Sequence, residues 1–236
     1  MRPTIVVWLW GDKYSDRHVH MLQAQLQISY PKPHRFVCIT DRKSIRGVET
    51  IPMPDRASGM VSESIRMWIF SKYARNRLGD WIFMLDLDMI LTGDISDLVD
   101  DAAPFRIWKS DSFGSHGYAL NPSVLLHRNK TMEYLWKRFA QDPAWELKNA
   151  RKAGWTGTEQ AVIGFHLSVD QPDVPVWTAE HGIISYRHLV TDPKEFDLDL
   201  PPGGAARIVS FHGRRDPADP KLRKRAPWIR QYWGGA

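Results

Sequence analysis

The segment at residues 81–91 places two carboxylates inside a long apolar run. Every residue in it is apolar except Asp86 and Asp88. Such a run predicts a strand that is buried on both faces. Ionised carboxylates are almost never buried unless their charge is compensated, and a divalent cation with hard oxygen ligands compensates two at once. The segment therefore predicts a core strand that ends at a metal-binding pair, and the bound cation can carry a diphosphate on its other faces.

Strand and helix patterns alternate before this segment. Ser15 is a good N-cap for a first helix, which Pro31 ends, and Ser62 is expected to cap a second helix with Tyr73 on its apolar face. Strands are predicted at residues 4–10, 35–40 and 48–51, and helices at residues 15–29 and 62–77. This order predicts an α/β fold in which helices flank a mainly parallel central sheet.

The second half of the sequence is less regular. Strands are predicted at residues 105–108, 123–127, 174–178, 183–186 and 206–211, and helices at residues 131–140, 145–152 and 158–167. The Pro/Gly turn at 201–204 directly precedes a strand pattern, so it does not read as a linker. We therefore expect one domain over residues 1–217, with a nucleotide half at about 1–100 and an acceptor half at about 101–217, followed by a C-terminal tail at 218–236.

The composition limits the class of protein and its compartment. The 236 residues are 43% hydrophobic and 25% charged, which is typical of a globular domain that buries its own core. Cys38 is the single cysteine, which excludes an internal disulfide and a cysteine-rich metal site. No apolar run reaches the roughly 18 residues of a membrane span, and the apolar run at residues 4–10 is too short for a signal peptide. We expect a soluble cytoplasmic protein.

Positive charge is concentrated near the C-terminus. The formal net charge is +5, and eight Lys or Arg lie between residues 207 and 230 against Asp216 and Asp219. Trp228, Tyr232 and Trp233 lie in the same region. This composition suits peripheral contact with the anionic inner face of a membrane or contact with nucleic acid, and it equally suits a solvated C-terminus. The three interpretations remain open from the sequence.

Polar residues follow several predicted strands at their carboxyl ends, where open α/β sheets bind ligands. Asp12 follows the first strand and Asp41 the second, although both also suit ordinary turns. The last strand pattern runs into His212, Gly213 and Arg214. An imidazole is a third ligand that Mn²⁺ accepts beside carboxylates, and an arginine can grip phosphate oxygens. Together with the acidic pair, these residues predict a nucleotide site.

Seven segments resemble, in the same order, the motifs of metal-dependent nucleotide-sugar glycosyltransferases with the GT-A fold. The resemblance is to the glycogenin and lipopolysaccharide-galactosyltransferase type, family GT8, and it spans residues 4–217. The matching segments are Trp8-Leu9-Trp10-Gly11-Asp12-Lys13-Tyr14, Thr40-Asp41, Arg66-Met67, Leu85-Asp86-Leu87-Asp88 (the DxD motif), Leu120-Asn121-Pro122-Ser123-Val124, Gly157-Thr158-Glu159-Gln160 and Phe211-His212-Gly213.

The resemblance implies a Rossmann-like GT-A fold and a hexosyltransferase. Its donor would be a nucleotide diphosphate sugar, by this resemblance a UDP-sugar, its acceptor a glycan or other sugar, and its product would retain the anomeric configuration. Metal ligands for Mn²⁺ or Mg²⁺ would be Asp86, Asp88 and His212. Donor contacts would come from Trp10, Gly11, Asp12, Tyr14, Asp41, Arg66, Asp86, Leu87, Asn121, Gly213 and Arg214, and catalytic groups from Asp88, Glu159 and Gln160.

Two positions depart from the pattern of that family. Glu159 stands where the family usually has Asp, so the geometry beside Gln160 is expected to differ. Asp216 stands where a phosphate-binding Lys is common. Arg214 or Arg215 would have to replace that lysine, and a planar guanidinium contacts phosphate differently from an ammonium group.

Three other functions remain open from the residues. A haloacid-dehalogenase-type phosphatase also places Asp-x-Asp after an apolar strand, but its motif usually closes with Thr or Val where this chain has Ile90. A nucleic-acid-binding module that uses the basic C-terminus would leave the acidic pair unexplained, so we expect no nucleic-acid partner. A glycosyltransferase that binds its donor without transfer is the third alternative.

Overall fold

Strands and helices alternate along the first half of the chain. The computed structural model describes residues 2–55, 60, 62–110, 119–128, 130–187, 206–211, 213 and 215–234. The first elements are β1 (Thr4–Leu9), α1 (Asp16–Ser29), β2 (Arg35–Thr40), β3 (Glu49–Pro52), a 3₁₀ helix (Ser62–Phe70), α2 (Lys72–Leu78), β4 (Trp81–Leu85), β5 (Met89–Leu91) and α3 (Ser96–Val99). Ser15 occupies the N-cap of α1 in an extended conformation, so the predicted start of this helix is confirmed.

The single helix predicted at residues 62–77 is wrong. The 3₁₀ helix ends at Phe70, and α2 begins after Ser71, whose hydroxyl accepts a hydrogen bond from the N–H of Ala74 at 3.0 Å. This cap starts a new helix inside what the apolar spacing suggested was one. Tyr73, expected on the apolar face, is 70% exposed.

The second half completes the sheets and adds helices on one face. Its elements are β6 (Phe105–Ser110), β7 (Ala119–Arg128), α4 (Glu133–Phe139), α5 (Pro143–Lys152), α6 (Glu159–Asp170), β8 (Val176–Trp177), a 3₁₀ turn (Ala179–His181), β9 (Ile183–Ser185), β10 (Ile208–Ser210), α7 (Pro220–Arg225) and α8 (Ile229–Trp233). β7 begins earlier than predicted, so Asn121 and Pro122 lie within a strand rather than before one.

The central sheet has seven strands in the order β3-β2-β1-β4-β7-β6-β8. β7 runs antiparallel to β4 and β6 and the other pairings are parallel, so the expected mainly parallel sheet is confirmed. A second sheet has the order β5-β10-β9. The apolar run at residues 81–91 is therefore divided between two sheets, and Asp86 and Asp88 lie in the connection. Because of this division, no strand carries the carboxylates through the core.

Alternate residues of the central strands pack on opposite faces of the sheet, which explains why these strands are apolar throughout. In β1, Val6 and Trp8 belong to one apolar cluster, which includes residues of the first 3₁₀ helix, α4, α5 and α6. Ile5 belongs to another, which includes residues of α1 and α3. Trp108 and Trp177 are also buried and belong to the same cluster as Ile5.

The C-terminal helices α7 and α8 pack against the small sheet and α1. Trp228 and Trp233 are each 1% exposed and share an apolar cluster with Ile90 and Phe211. Two of the three aromatic side chains of the basic C-terminal region are therefore inside the protein, whereas Tyr232 is partly exposed. Within the described ranges, no helix is long and apolar enough to cross a bilayer.

Candidate active site

A cavity of about 520 Å³ opens at the carboxyl ends of β1 and β4. This volume lies within the range of small-molecule sites. Its lining consists of Trp8, Trp10, Gly11, Asp12, Lys13, Tyr14, Glu63, Arg66, Asp86, Leu87, Asp88, Asn121, Ser123, Gly157, Thr158, Glu159, Gln160 and Gly213. Most of the predicted site residues thus meet in one space. Asp41 is not part of the lining, and His212 and Arg214 lie outside the described residues.

Residues 86–88 form the acidic turn, and two hydrogen bonds hold its backbone in place. The N–H of Asp86 donates to the carbonyl of Ser123 at 3.0 Å, and the carbonyl of Asp88 accepts from the N–H of Phe211 at 2.8 Å. Leu87, between the two carboxylates, is 2% exposed and packs in the core. A buried side chain at the middle position anchors the turn, and both flanking carboxylates line the cavity.

Asp88 is a buried carboxylate with a specific hydrogen-bond donor. The hydroxyl of Tyr14 donates to its Oδ2 at 2.6 Å, and Nζ of Lys13 lies 3.8 Å from the same oxygen. Burial and the neighbouring charge of Asp86 raise the pKa of Asp88 to about 7, against the lowering effect of the Tyr14 hydroxyl. Burial also raises the pKa of Tyr14, so this hydroxyl remains a hydrogen-bond donor.

Arg66 is a buried cation held by two carboxylates. Its guanidinium lies 2.6 Å from Oδ1 of Asp86 and 3.2 Å from Oε1 of Glu159. Burial lowers the pKa of Arg66, but Asp86 and Glu159 more than offset this effect and hold it above its ordinary value. Burial raises the pKa of Glu159, although Arg66 acts in the opposite direction. Arg66, which the resemblance places near the donor, therefore first balances charge within the protein.

Asn121 and Ser123 present polar groups from an otherwise apolar strand. The Asn121 Oδ1 accepts from the N–H of Ser123 at 2.9 Å, so the group that Asn121 can offer a ligand is its NH₂. The Ser123 hydroxyl donates to Oδ2 of Asp86 at 2.7 Å. Sequence reasoning included Ser123 in a motif but missed this contact. The available signal was the alternation of Asn121 and Ser123 in β7, which puts both side chains on one face.

The start of α6 brings Glu159 and Gln160 to the cavity. Gly157 precedes them with a φ of +95°, a conformation that side chains rarely adopt. The ring of Trp155 lies directly on Gly164, where an added Cβ would be 2.5 Å from Cζ3. Trp155 therefore packs against α6 and holds the loop that precedes this helix.

Asp41, which was expected to contact the donor, and Asp216, which stands where the resembling family commonly has a lysine, both make contacts within the protein. Asp41 Oδ2 accepts from the N–H of Gly11 at 2.9 Å and so holds the loop after β1. The carboxylate of Asp216 lies 3.1 Å from Nε2 of His18. Each therefore orders a segment of backbone or a neighbouring side chain.

The acidic turn suits a hard divalent cation in its donor chemistry. Asp86 and Asp88 offer carboxylate oxygens, the ligands that Mg²⁺ and Mn²⁺ prefer. In the described ranges, no group of three or more His, Cys, Asp and Glu side chains is arranged to hold a metal ion. These two carboxylates would supply only part of the ligand set of such a cation.

Comparison with known proteins gives a clear result at the level of the fold. No family model matches the chain, and no curated protein sequence matches it. Among solved structures, galactosyltransferase LgtC in complex with donor and acceptor sugar analogs matches with a TM-score of 0.61 and 11% identity, over 98% of this chain and 95% of LgtC. An active-site variant of LgtC in which glutamine is replaced by glutamate also matches, with a TM-score of 0.60 and 13% identity.

Two further glycosyltransferases have the same fold. GlyE of Streptococcus pneumoniae TIGR4 matches with a TM-score of 0.63 and 17% identity over 100% of this chain, which spans 62% of GlyE. A glycosyltransferase involved in glycosylation of the major capsid of PBCV-1 matches with a TM-score of 0.55 and 14% identity, over 98% of this chain and 100% of that one. The chain has the GT-A-like fold of these glycosyltransferases.

Proposed function

We propose that this chain is a metal-dependent glycosyltransferase of the GT8 type. It moves a hexose from a UDP-sugar to a glycan or other sugar acceptor and retains the anomeric configuration. The observation that carries the proposal is the convergence of two carboxylates, the Arg66 guanidinium and the amides of Asn121 and Gln160 in one cavity at the carboxyl ends of β1 and β4. The likeness in fold to LgtC, described with donor and acceptor sugar analogs, supports the same class of reaction.

Several of the lining groups have a defined task in this proposal. Asp86 and Asp88, with His212, would hold Mn²⁺ or Mg²⁺, and the ion would supply Lewis-acid stabilisation of the charge on the leaving nucleoside diphosphate. Asn121 and Gln160 orient the sugar through amide hydrogen bonds. The loop from Trp10 to Tyr14 contacts the base, and Arg66 keeps the Asp86 carboxylate in place through a contact of 2.6 Å.

A donor screen and one substitution test the proposal. With Mn²⁺ present, the matching nucleotide diphosphate sugar should raise the melting temperature by mass action. Asp88→Ala should remain folded and lose Mn²⁺-dependent donor turnover. Asp80→Ala is the matched control, because its carboxylate is 45% exposed and precedes β4 at the end opposite the cavity. Donor turnover by Asp88→Ala at the wild-type rate would overturn the proposal, and the anomeric proton of the product reports retention.

The phosphatase alternative requires a different chemical role for Asp86. A phosphatase of that type needs the first aspartate of the motif as a free nucleophile. Here Oδ1 of Asp86 contacts Arg66 and Oδ2 accepts a hydrogen bond from Ser123, so both contacts reduce the nucleophilicity of this carboxylate while each oxygen keeps a lone pair for a cation. Hydrolysis of p-nitrophenyl phosphate with Mg²⁺ would favour the phosphatase, and its absence is expected.

We also propose peripheral contact with an anionic membrane through the basic face of α7. Because Trp228 and Trp233 are buried, the contact depends on charge, and Lys221 and Lys224 are exposed. The double variant Lys221→Glu, Lys224→Glu should reduce co-sedimentation with phosphatidylglycerol vesicles. Unchanged co-sedimentation would contradict a membrane role for α7.

A further inference from the structure

His18 joins the C-terminal helices to the loop that lines the candidate site. Its imidazole is at the start of α1 and is 5% exposed. Nδ1 accepts a hydrogen bond from the backbone N–H of Ser15 at 3.2 Å, so the ring hydrogen is on Nε2. Nε2 in turn donates to Asp216, whose carboxylate oxygens are 3.1 and 3.2 Å away. Both ring nitrogens are therefore engaged, one by the chain before α1 and one by the C-terminal segment.

Two aromatic rings complete this cluster. Trp233 of α8 meets the His18 ring in a T-shaped contact with centroids 4.8 Å apart, and the Tyr14 ring lies 5.0 Å from it. Further contacts hold α8 on α1: Arg17 donates to the carbonyl of Trp233 at 3.4 Å, and Gln25 donates to the carbonyl of Tyr232 at 3.1 Å. The C-terminal helix thus contacts the same imidazole that contacts Tyr14.

Tyr14 connects the His18 cluster to the cavity, because it contacts both His18 and Asp88. Its hydroxyl donates to Oδ2 of Asp88 at 2.6 Å, although the two residues are 74 positions apart. The ammonium of Lys13 lies 4.5 Å from the Tyr14 ring centroid. A hydrogen bond of this kind fixes the orientation of a carboxylate, and the packing of the ring decides where the hydroxyl lies.

We propose that His18, held by the C-terminal segment 215–234, positions Tyr14 and through it Asp88 for binding of the donor. The inference rests on the proposed function, because Asp88 is a donor-site residue only if that function is right. It assigns His18 as a positioning residue and gives Asp216 a role where the resembling family commonly has a lysine. It also implies that α8 helps to set the geometry of the site.

Substitutions at His18 test the proposal by two readouts. The first is the Kd of UDP with MnCl₂, measured by calorimetry for wild type, His18→Phe, His18→Gln and the control His20→Gln in the same helix. His18→Phe loses the hydrogen bond to Asp216, and the Kd of UDP should therefore rise about fivefold. His18→Gln keeps a donor that can reach Asp216 and should recover part of this loss. In a Tyr14→Phe background, His18→Phe should add little, because it acts through Tyr14.

The second readout needs no ligand. In protein with ¹³C-labelled tyrosine rings, the Tyr14 signal is identified by its loss in Tyr14→Phe. It should shift in both His18 variants and not in His20→Gln. An unchanged Tyr14 signal, or additive losses of affinity in the double variant, would overturn the proposal. A shifted Tyr14 signal in a protein that binds no UDP would leave the positioning of Tyr14 in place and refute the proposed function instead.

Discussion

Replacing Gly164 by alanine should change the stability of this protein with a sign that depends on Trp155. Gly164 is a buried residue within α6, where alanine is normally favoured by about 1 kcal/mol through helix propensity. Here the new methyl group would lie against Cε3 of Trp155, 2.5 Å from Cζ3 and 3.1 Å from Cδ2. Three close contacts with a rigid ring cannot be relieved by moving one flexible chain end.

The expected magnitudes follow from these two opposing effects. Overpacking of a core contact costs about 1–3 kcal/mol, which exceeds the gain in propensity, so Gly164→Ala alone should destabilise the protein by up to about 2 kcal/mol. In a Trp155→Ala background the clash is absent, and the same substitution should stabilise by about 1 kcal/mol. The coupling energy of the cycle is then about 1–3 kcal/mol, within the range for residues in contact.

Urea unfolding followed by circular dichroism gives the four free energies of unfolding. Val169→Ala, an exposed position in α6, is the control for a change in propensity alone. Donor turnover should fall in Gly164→Ala by more than its stability suggests, because Trp155 orders the loop before Glu159 and Gln160, and small misplacements are costly in catalysis. Stabilisation by Gly164→Ala with Trp155 present would show that the ring does not lie on this glycine.

Buried charges and rings elsewhere give further expected outcomes. Arg66→Met should lower the free energy of unfolding in urea by about 3–5 kcal/mol, because the two carboxylates that Arg66 bridges lose their buried cation. A decrease below about 1 kcal/mol would contradict this role of Arg66. Burial lowers the pKa of His127 to about 4, so the unfolded chain binds the proton first, and His127 contributes a stability that rises with pH between about 4 and 6.5. Burial raises the pKa of Asp88 to about 7, which contributes the opposite slope, so His127→Asn should make the pH slope of stability less positive in this window, and an unchanged slope would count against it. Trp228→Ala should lower the free energy of unfolding by about 3–5 kcal/mol. Trp145 is 55% exposed, so Trp145→Ala should change this free energy little.

The helices and strands could be predicted where the signals are local. Ser15 and Pro31 delimit α1, and continuous apolar runs mark the strands covered on both faces. The division of the run at 81–91 between two sheets could not be predicted, because it depends on which distant strands pair with β4 and β5. The cap at Ser71 is a local signal, but the apolar repeat of the predicted helix continues through this position. The repeat therefore predicted one helix where the chain forms two.

The residues of the cavity were predicted better than their partners. Strand-end carboxylates and the resemblance identified Asp86, Asp88 and Gln160 as site candidates, and all three line the cavity. The contact of Tyr14 with Asp88 and the bridge from Arg66 to Glu159 join segments 74 and 93 positions apart in the sequence. Contacts of this kind are set by strand register and helix placement, so no local pattern contains them.

The charges of the cavity explain why these partners matter for the proposed function. Among its buried and half-buried lining residues are three carboxylates, on Asp86, Asp88 and Glu159, and one guanidinium, on Arg66. Arg66 contacts two of the carboxylates and can balance only one charge, so with all three carboxylates ionised this set carries two negative charges in excess. One divalent cation at Asp86 and Asp88 would balance them, whereas the exposed ammonium of Lys13, 3.8 Å from Asp88, is too hydrated to do so alone. Burial and, after it, the neighbouring carboxylate of Asp86 raise the pKa of Asp88, so a bound cation would favour its ionised form, as the proposed function requires.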